Sequence, residues 1–163
     1  MSTLASMVDL RSGGPPDLPA IAALMTAAFD PRFGEAWTQA QCMGILSLPG
    51  VWLTIARQNG ADVGFALARS TYEDAELLLL ATHPHARRSG VGRSLLRSVI
   101  ADAADRGATR LLLEVRADNE AIALYRREQF SKIGERLEYY RGAHGRSYDA
   151  HTYFRPLPQA GST

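Results

Sequence analysis

The sequence predicts one mixed α/β domain, and three observations support this fold class. Residues 51–82 contain three apolar runs with the length and spacing of neighbouring strands. The next apolar side chains recur at helical spacing, and another apolar run follows at 111–115. The length of 163 residues fits one domain, since domains usually hold roughly 100–200 residues. We expect this domain to fill 1–163, with a core at 7–157 and a short flexible tail at 158–163.

The first elements are an extended start and two helices. Residues 8–11 are extended and lead into a turn at 13–16, where two glycines precede two prolines. A helix begins near Asp17, because apolar residues recur at helical spacing as far as Ala28. A second, weaker helix runs from about residue 37 to 46 and ends before a Pro-Gly pair.

Three strands and a long helix form the centre of the chain. Strands at 51–56 and 63–68 are joined by an Asn-Gly turn, a strong hairpin signal. The strand at 75–82 is apolar on both faces, which predicts a central position in the sheet. The helix that follows has one apolar stripe and ends at Gly107.

The last part of the chain adds a strand, a helix and two more strands. The run at 111–115 is a buried strand, so its connection through the long helix should be a right-handed crossover. Asn119 is a suitable N-cap for the next helix, and the final strands are at 130–136 and 149–157. The expected architecture is a central, mostly antiparallel sheet of about seven strands flanked by about four helices.

Composition and charge exclude several classes of protein. Basic and acidic residues number 18 and 17, so a generally basic nucleic-acid binder is not expected. Wholly apolar runs such as 77–81 are far shorter than the roughly 20 residues of a membrane span, and the first residues lack a signal-peptide pattern. Cys42 is the only cysteine, which excludes an internal disulfide. We expect a soluble cytoplasmic protein, monomeric or homodimeric, without nucleic-acid or membrane partners.

Arginines are concentrated before the long helix. Of the 18 basic residues 17 are arginine, and coding bias in a GC-rich genome is the simplest explanation for that excess. Four of them nevertheless fall within eleven residues, at positions 87, 88, 93 and 97. The glycines between them let the backbone approach a ligand closely, and the free N–H groups of a helix start attract an anion. Residues 87–94 therefore predict a phosphate site, with an ordinary glycine turn as the alternative.

Two common phosphate motifs fit this segment poorly. Gly90 and Gly92 begin a partial dinucleotide fingerprint, and Glu114 lies where a ribose-binding acid would fall. However, Leu95 occupies the third glycine position, and Gly90 follows Ala81 by nine residues, too many for the tight turn of that motif. The GxxxxGK[ST] phosphate loop is absent. Nicotinamide cofactors and nucleoside triphosphates are therefore minor candidates.

The pattern Arg87-x-x-Gly90-x-Gly92 resembles the Q/R-x-x-G-x-G/A motif of the GNAT superfamily of acyl-CoA-dependent N-acyltransferases. The resemblance extends downstream through Leu113-Glu114-Val115-Arg116-Ala117-Asp118-Asn119, Ala123-Leu124-Tyr125, Phe130, Tyr139-Tyr140 and Asp149-Ala150. This series is similar to the ribosomal-protein-alanine N-acetyltransferase branch and covers roughly 75–157, about half of the chain. It implies a GNAT-like fold and acetyl transfer to an amine.

The resemblance also implies roles for individual residues. Acetyl-CoA would be the co-substrate and no metal would be needed. The residues that would contact the coenzyme are Leu80, Ala81, Thr82, Arg87, Arg88, Ser89, Gly90, Val91, Gly92, Arg93 and Asn119. Of these, 80–82 and Asn119 would meet the pantetheine arm, and the loop 88–93 would hold the pyrophosphate. Glu114 would match the general base of the family and Tyr125 its general acid.

The residue types are suited to this chemistry. An amine attacks a thioester only when it is unprotonated, so a proton acceptor is needed, and Glu114 lies at the polar end of an apolar strand. The phenol of Tyr125 is a neutral donor at pH 7. Reaching the free base costs about 1.4 kcal/mol for an α-amine and several kcal/mol for lysine. The alternatives are a solvated strand-end charge and a packed aromatic ring.

The expected acceptor is the N-terminal α-amine of a protein. The alternatives are a small-molecule amine such as a polyamine or aminoglycoside, and a non-catalytic acyl-CoA-binding module. The sequence departs from the family pattern in three places: Gln129 replaces a usual glycine, His83 replaces a common acidic residue, and an aromatic-Pro-Trp element of the first-helix region is missing. The last of these lies in the region that usually shapes the acceptor pocket of the family. Tyr139 and Tyr140 are expected to pack on strands, with a loop that lines the acceptor site as the alternative. The pair of histidines at 83 and 85 is expected to lie in a loop rather than bind a metal.

Overall fold

The computed structural model describes residues 7–159 and contains seven strands and four α-helices in that range. The strands are β1 (Asp9–Gly13), β2 (Val51–Gln58), β3 (Ala61–Thr71), β4 (Asp74–Thr82), β5 (Arg110–Arg116), β6 (Ser131–Arg141) and β7 (Ser147–Pro156). The helices are α1 (Leu18–Ala28), α2 (Gln39–Leu46), α3 (Val91–Asp105) and α4 (Ile122–Arg127). The predicted fold class is confirmed.

All seven strands form one sheet in the order β1-β2-β3-β4-β5-β7-β6. Every neighbouring pair is antiparallel except β4 and β5, which are parallel and joined through α3. This agrees with the expected central strand at 75–82 and with a crossover between parallel strands, because antiparallel partners need only a hairpin whereas parallel partners need a long connection. The right-handed sense of the crossover stays a prediction.

Two apolar cores cover the two faces of the sheet. One contains the apolar stripe of α3 with Ala75 and Leu77 of β4, and the other contains α1 and α2 residues with Leu79 and Ala81 of the same strand. The change of face within β4 coincides with a β-bulge, since the pairing with β3 skips Leu78. One extra residue in a strand exchanges the sides on which the following side chains lie.

The bulge lies next to a fork in the sheet. The ladder between β4 and β5 ends at the pair Leu77 and Leu113, although β4 continues to Thr82 and β5 to Arg116. Beyond the fork, no strand from residues 7–159 pairs with the edge of β4 that faces β5. This opening positions the candidate site.

The structure corrects several predicted boundaries. Helix α2 begins at Gln39 rather than 37, because the side chain of Thr38 accepts a hydrogen bond from the Gln41 N–H and forms a capping box. Helix α4 begins at Ile122, three residues after the predicted N-cap Asn119. Strand β6 extends to Arg141, past the predicted end at 136, and contains irregular pairing. Of the predicted tail, only residues 158 and 159 lie within the described part.

None of the four α-helices described over residues 7–159 has the length and apolar character of a membrane span.

Candidate active site

A cleft of about 1290 Å³ opens at the fork between β4 and β5. Single small-ligand pockets usually measure about 300–1,000 Å³, so the cleft has room for two substrates side by side. Twelve of the thirteen predicted site residues line it, namely Leu80, Ala81, Thr82, Arg87, Arg88, Gly90, Val91, Gly92, Arg93, Glu114, Asn119 and Tyr125.

Ser89 is the predicted residue that does not line the cleft. Its hydroxyl donates a hydrogen bond to the carbonyl oxygen of Ala86 and so fixes the loop before α3. The side chain therefore supports the shape of the loop, and a contact from Ser89 to the coenzyme would have to come from its backbone.

One side of the cleft, which we call the arginine side, is formed by residues 80–93. Its loop has left-handed backbone at Arg88 (φ 65°) and Gly90 (φ 86°), and α3 starts directly after it. The first N–H groups of a helix have no partner within the helix, and here no capping side chain satisfies them. A Cβ built on Gly90 would meet no atom within 4 Å. The loop therefore offers open space and free N–H donors, which suits a phosphate group.

The four clustered arginines have different surroundings. Arg87 donates from Nη2 to the carbonyl oxygen of Ala28 at 2.9 Å, which ties the loop to the end of α1. Arg93 and Arg97 lie 3.4 and 3.2 Å from the carboxylate of Glu128. Within residues 7–159, Arg88 is the member of the cluster without an ion pair or a side-chain hydrogen bond, so its guanidinium is available to an anion.

The other side of the cleft, which we call the carboxylate side, is formed by Glu35, Glu76, Glu114, Tyr139 and Tyr140. These five residues come from the segment between α1 and α2 and from strands β4, β5 and β6. The hydroxyl of Tyr140 donates to the backbone carbonyl of Glu114 at 3.3 Å. Tyr139 and Tyr140 lie on strand β6 rather than in a loop, and both line the cleft.

Glu114 is not the solvated strand-end charge that the sequence left open as an alternative. Its Oε1 lies 2.6 Å from Nε of Arg136 on β6, and its side chain is 16% exposed. Burial, followed by interaction with Glu114, raises the pKa of the neighbouring Tyr139 phenol. Sequence reasoning missed Arg136 because it lies 22 residues away on a strand whose irregular pairing cannot be read from periodicity.

Tyr125 is buried beneath the cleft, 6% exposed, with its ring edge-on to Phe130 at 5.8 Å. Burial, and to a smaller extent the charge of Glu35, raises the pKa of its phenol well above the ordinary value. The hydroxyl therefore keeps its proton throughout the neutral range and is able to donate a hydrogen bond.

A buried ion pair connects the segment before α2 to the end of β5. Arg116, 8% exposed, places Nε 3.3 Å from Oε1 of Glu35, and its guanidinium lies 3.5 Å from the ring centre of Phe33. Asn119 donates from its amide to Oε2 of Glu35 at 2.9 Å and accepts from the N–H of Ala121. The Asn119 side chain is thus engaged within the protein.

Sequence reasoning missed Glu35 altogether. The residues that bind it are 81 and 84 positions further along the chain, so no local pattern could reveal the contact. Gly34 carries a hint, because its left-handed backbone (φ 68°) lets the segment press against the end of β6, where a Cβ would lie 2.0 Å from the carbonyl oxygen of Arg141. A glycine next to a glutamate is too common a pattern to predict this.

Among residues 7–159, no group of three His, Cys, Asp or Glu side chains is arranged to hold a metal ion. His83 and His85 stack on each other in the loop after β4, at 5.1 Å between ring centres. That the chemistry needs no metal stays a prediction.

Comparison with known proteins agrees with this geometry. Residues 18–130 match the model of the acetyltransferase (GNAT) family. The [ribosomal protein bS18]-alanine N-acetyltransferase of Escherichia coli K12 is 40% identical over 90 residues, 55% of this chain and 61% of that protein. The N-alpha-acetyltransferase RimI of Mycobacterium tuberculosis is 36% identical over 112 residues, 66% of this chain and 69% of that protein.

A solved structure extends the similarity to almost the whole fold. The crystal structure of the ribosomal-protein-S18-alanine N-acetyltransferase from Escherichia coli superposes with a TM-score of 0.83 at 31% identity, covering 96% of this chain and 98% of that one. The cleft, the sheet order and the family match agree, and the chain belongs to the acetyltransferase (GNAT) family.

Proposed function

We propose that this protein transfers an acetyl group from acetyl-CoA to the N-terminal α-amine of a protein, as the names of its E. coli and M. tuberculosis relatives suggest. One observation carries the proposal. The arginine side and the carboxylate side meet at the fork between β4 and β5, so an anionic coenzyme and a cationic amine would approach each other there. A cytoplasmic location is part of the proposal.

The arginine side would hold the coenzyme. The N–H groups of 88–93 and the free guanidinium of Arg88 would bind the pyrophosphate, since charge-assisted hydrogen bonds are the strong ones. The unpaired edge of β4 at 80–82 would hydrogen bond the pantetheine arm in the manner of an added strand. When bound, acetyl-CoA would supply the acetyl group as an activated thioester.

Glu114 and Tyr125 would act at the fork. Glu114, held in place by Arg136, would face the acceptor nitrogen and accept a proton from it. Tyr125 would donate a hydrogen bond to the departing sulfur. A thiol has an ordinary pKa of about 8.5 and a phenol one of about 10, so complete proton transfer from the tyrosine is uphill and becomes more so as its pKa rises.

The carboxylate side favours a cationic acceptor. Three glutamates line it. Among residues 7–159, Arg116 pairs with Glu35 and Arg136 with Glu114, whereas Glu76 has Arg69 nearby but no ion pair. An α-amine needs about 1.4 kcal/mol to lose its proton at neutral pH, against several kcal/mol for lysine, so carboxylates are sufficient for an N-terminus.

The test is a panel of acceptors assayed for release of the CoA thiol. We expect turnover with a peptide that begins with alanine, and mass spectrometry should place the acetyl group on its α-amine. A peptide of the same sequence with a blocked N-terminus and an internal lysine is the matched control and should be inert.

Two results would contradict the proposal. Faster turnover of polyamines or aminoglycosides than of any peptide would make the protein a small-molecule acetyltransferase. Tight binding of acetyl-CoA without turnover on any amine would make it a binding module.

A further inference from the structure

The carboxylate side contains a second glutamate at the fork, Glu76. It lies on β4 and pairs with Leu112 of the parallel strand β5. Leu112 is two residues before Glu114 on that strand. The flanking residues Ala75, Leu77, Leu111 and Leu113 all pack in the core beneath α3. Because side chains alternate along a strand, Glu76 and Glu114 must both project from the opposite face of the sheet, towards the cleft.

The two glutamates differ in their partners. Glu114 is bound to Arg136 at 2.6 Å, so its carboxylate already has a cationic partner. Glu76 is exposed to the cleft and makes no ion pair or hydrogen bond within residues 7–159. Of the two, Glu76 is therefore the carboxylate that can take up a proton without breaking an ion pair.

The charged groups around Glu76 come from three strands. They are Arg69 on β3, Glu114 on β5, and Arg136 on β6, with the Tyr139 phenol also close. Although its side chain is open to the cleft, the surrounding protein partly desolvates Glu76, and this is the main cause that raises its pKa above the ordinary value. Glu114 is the second cause, while Arg136 and Arg69 oppose them. A carboxylate with a raised pKa is a better proton acceptor near neutral pH.

We propose that Glu76 forms a carboxylate pair with Glu114 and holds the proton that is removed from the acceptor amine. This inference rests on the proposed function. In the step, one N–H bond of the acceptor ammonium breaks and its electron pair stays on nitrogen. The proton passes along Glu114 or a water to Glu76, forming an O–H bond. Glu76 then releases it to the solvent of the open cleft.

The first test compares Glu76→Gln with the wild type on two acceptors. One is an alanine peptide, whose amine is largely protonated at neutral pH, and the other is the same peptide with an N-terminal aminooxy group, which is not. Loss of a proton acceptor should lower kcat about 100-fold for the alanine peptide. The aminooxy peptide needs no proton removed before attack and should lose far less. Glu73→Gln, an exposed change in the turn before β4, is the control and should leave both rates unchanged.

The second test uses Glu114→Gln and the double variant. If the two carboxylates act as a unit, the double variant should be little slower than either single one. Removing the charge of Glu114 should also move the pKa of Glu76 down, and a carbon-13 titration of the glutamate carboxyls would measure this without any turnover. Acetyl-CoA affinity, measured by calorimetry, should stay unchanged in all variants.

The outcomes separate the two hypotheses. If Glu76→Gln retains the wild-type rate while Glu114→Gln does not, Glu114 alone handles the proton and the pair is refuted. Equal losses on both peptides would assign Glu76 a merely structural role. If the wild type acetylates no amine at all, the proposed function fails first.

Discussion

The two sides of the cleft are built in different ways. The arginine side is one continuous stretch, 80–93, and relies on backbone N–H groups and on Arg88. The carboxylate side collects single residues from four separate parts of the chain and fixes them through ion pairs such as Arg116 with Glu35. A coenzyme can be bound by a local motif, whereas an acceptor is bound by residues that only the complete fold brings together. A mutation on one side should therefore weaken binding at that side and leave binding at the other side unchanged.

The largest expected effect is on the carboxylate side. Arg116→Met removes the partner of a buried carboxylate, and breaking such a pair costs about 3–5 kcal/mol of unfolding free energy. The segment that bears Phe33 and Glu35 should loosen, raising the KM of the peptide acceptor while the Kd of acetyl-CoA stays unchanged. Urea unfolding and calorimetry would measure both.

The matched control is Arg110→Met on the same strand. Arg110 pairs with Asp74 at the surface, where both side chains are more than 40% exposed, so its loss should cost at most about 1 kcal/mol. If Arg116→Met weakened acetyl-CoA binding as much as acceptor binding, the two sides would not be independent.

The next effect tests the arginine side. Gly90→Trp places a bulky side chain on left-handed backbone in the loop that lines the cleft. Losing two hydrogen bonds to a charged group should weaken acetyl-CoA binding about 100-fold. Gly60→Trp is the control, because Gly60 has a similar φ of 77° and equally open space in the hairpin turn after β2. Both should lose a similar stability, and only Gly90→Trp should lose coenzyme.

A smaller effect is expected for Arg88→Ala. The loss of one charge-assisted hydrogen bond should raise the Kd of acetyl-CoA about tenfold at low salt. The difference from wild type should shrink as ionic strength rises, because salt screens exposed charges. Arg146→Ala, in the turn between β6 and β7, is the control. A salt-independent difference would argue against a phosphate contact.

The smallest effect lies outside both sides. Gln129 has left-handed backbone (φ 69°) just after α4, at the position where helices usually end in glycine. Gln129→Gly should raise the unfolding free energy by about 0.5–1 kcal/mol and leave both substrate affinities unchanged. Gln129→Ala relieves no strain and should not stabilise. An altered acceptor KM would show that this departure from the family pattern serves specificity.

The difference between the arginine side and the carboxylate side also separates what the sequence predicts from what it does not. Periodicity and turn residues predict the strands, the parallel crossover and the loop around Gly90, because each depends on neighbours in the chain. Glu114 and Tyr125 were identified by resemblance, and the structure places both at the cleft. Arg136, Glu35 and the partners of Asn119 were missed, because their roles depend on contacts across many residues. Likewise, no local sequence pattern shows that the side chain of Asn119 binds Glu35 within the protein.

The buried pair of Glu35 and Arg116 also bears on how the chain folds. Its two residues are 81 positions apart, and closing so long a loop is slow compared with forming the arginine side from neighbouring residues. We therefore expect the strands and helix around residues 74–105 to become protected first in pulsed hydrogen exchange, and the N-terminal segment to dock last. Simultaneous protection would refute this order. During synthesis of the chain, the arginine side, which would bind the coenzyme, would then form before the carboxylate side, which would receive the acceptor.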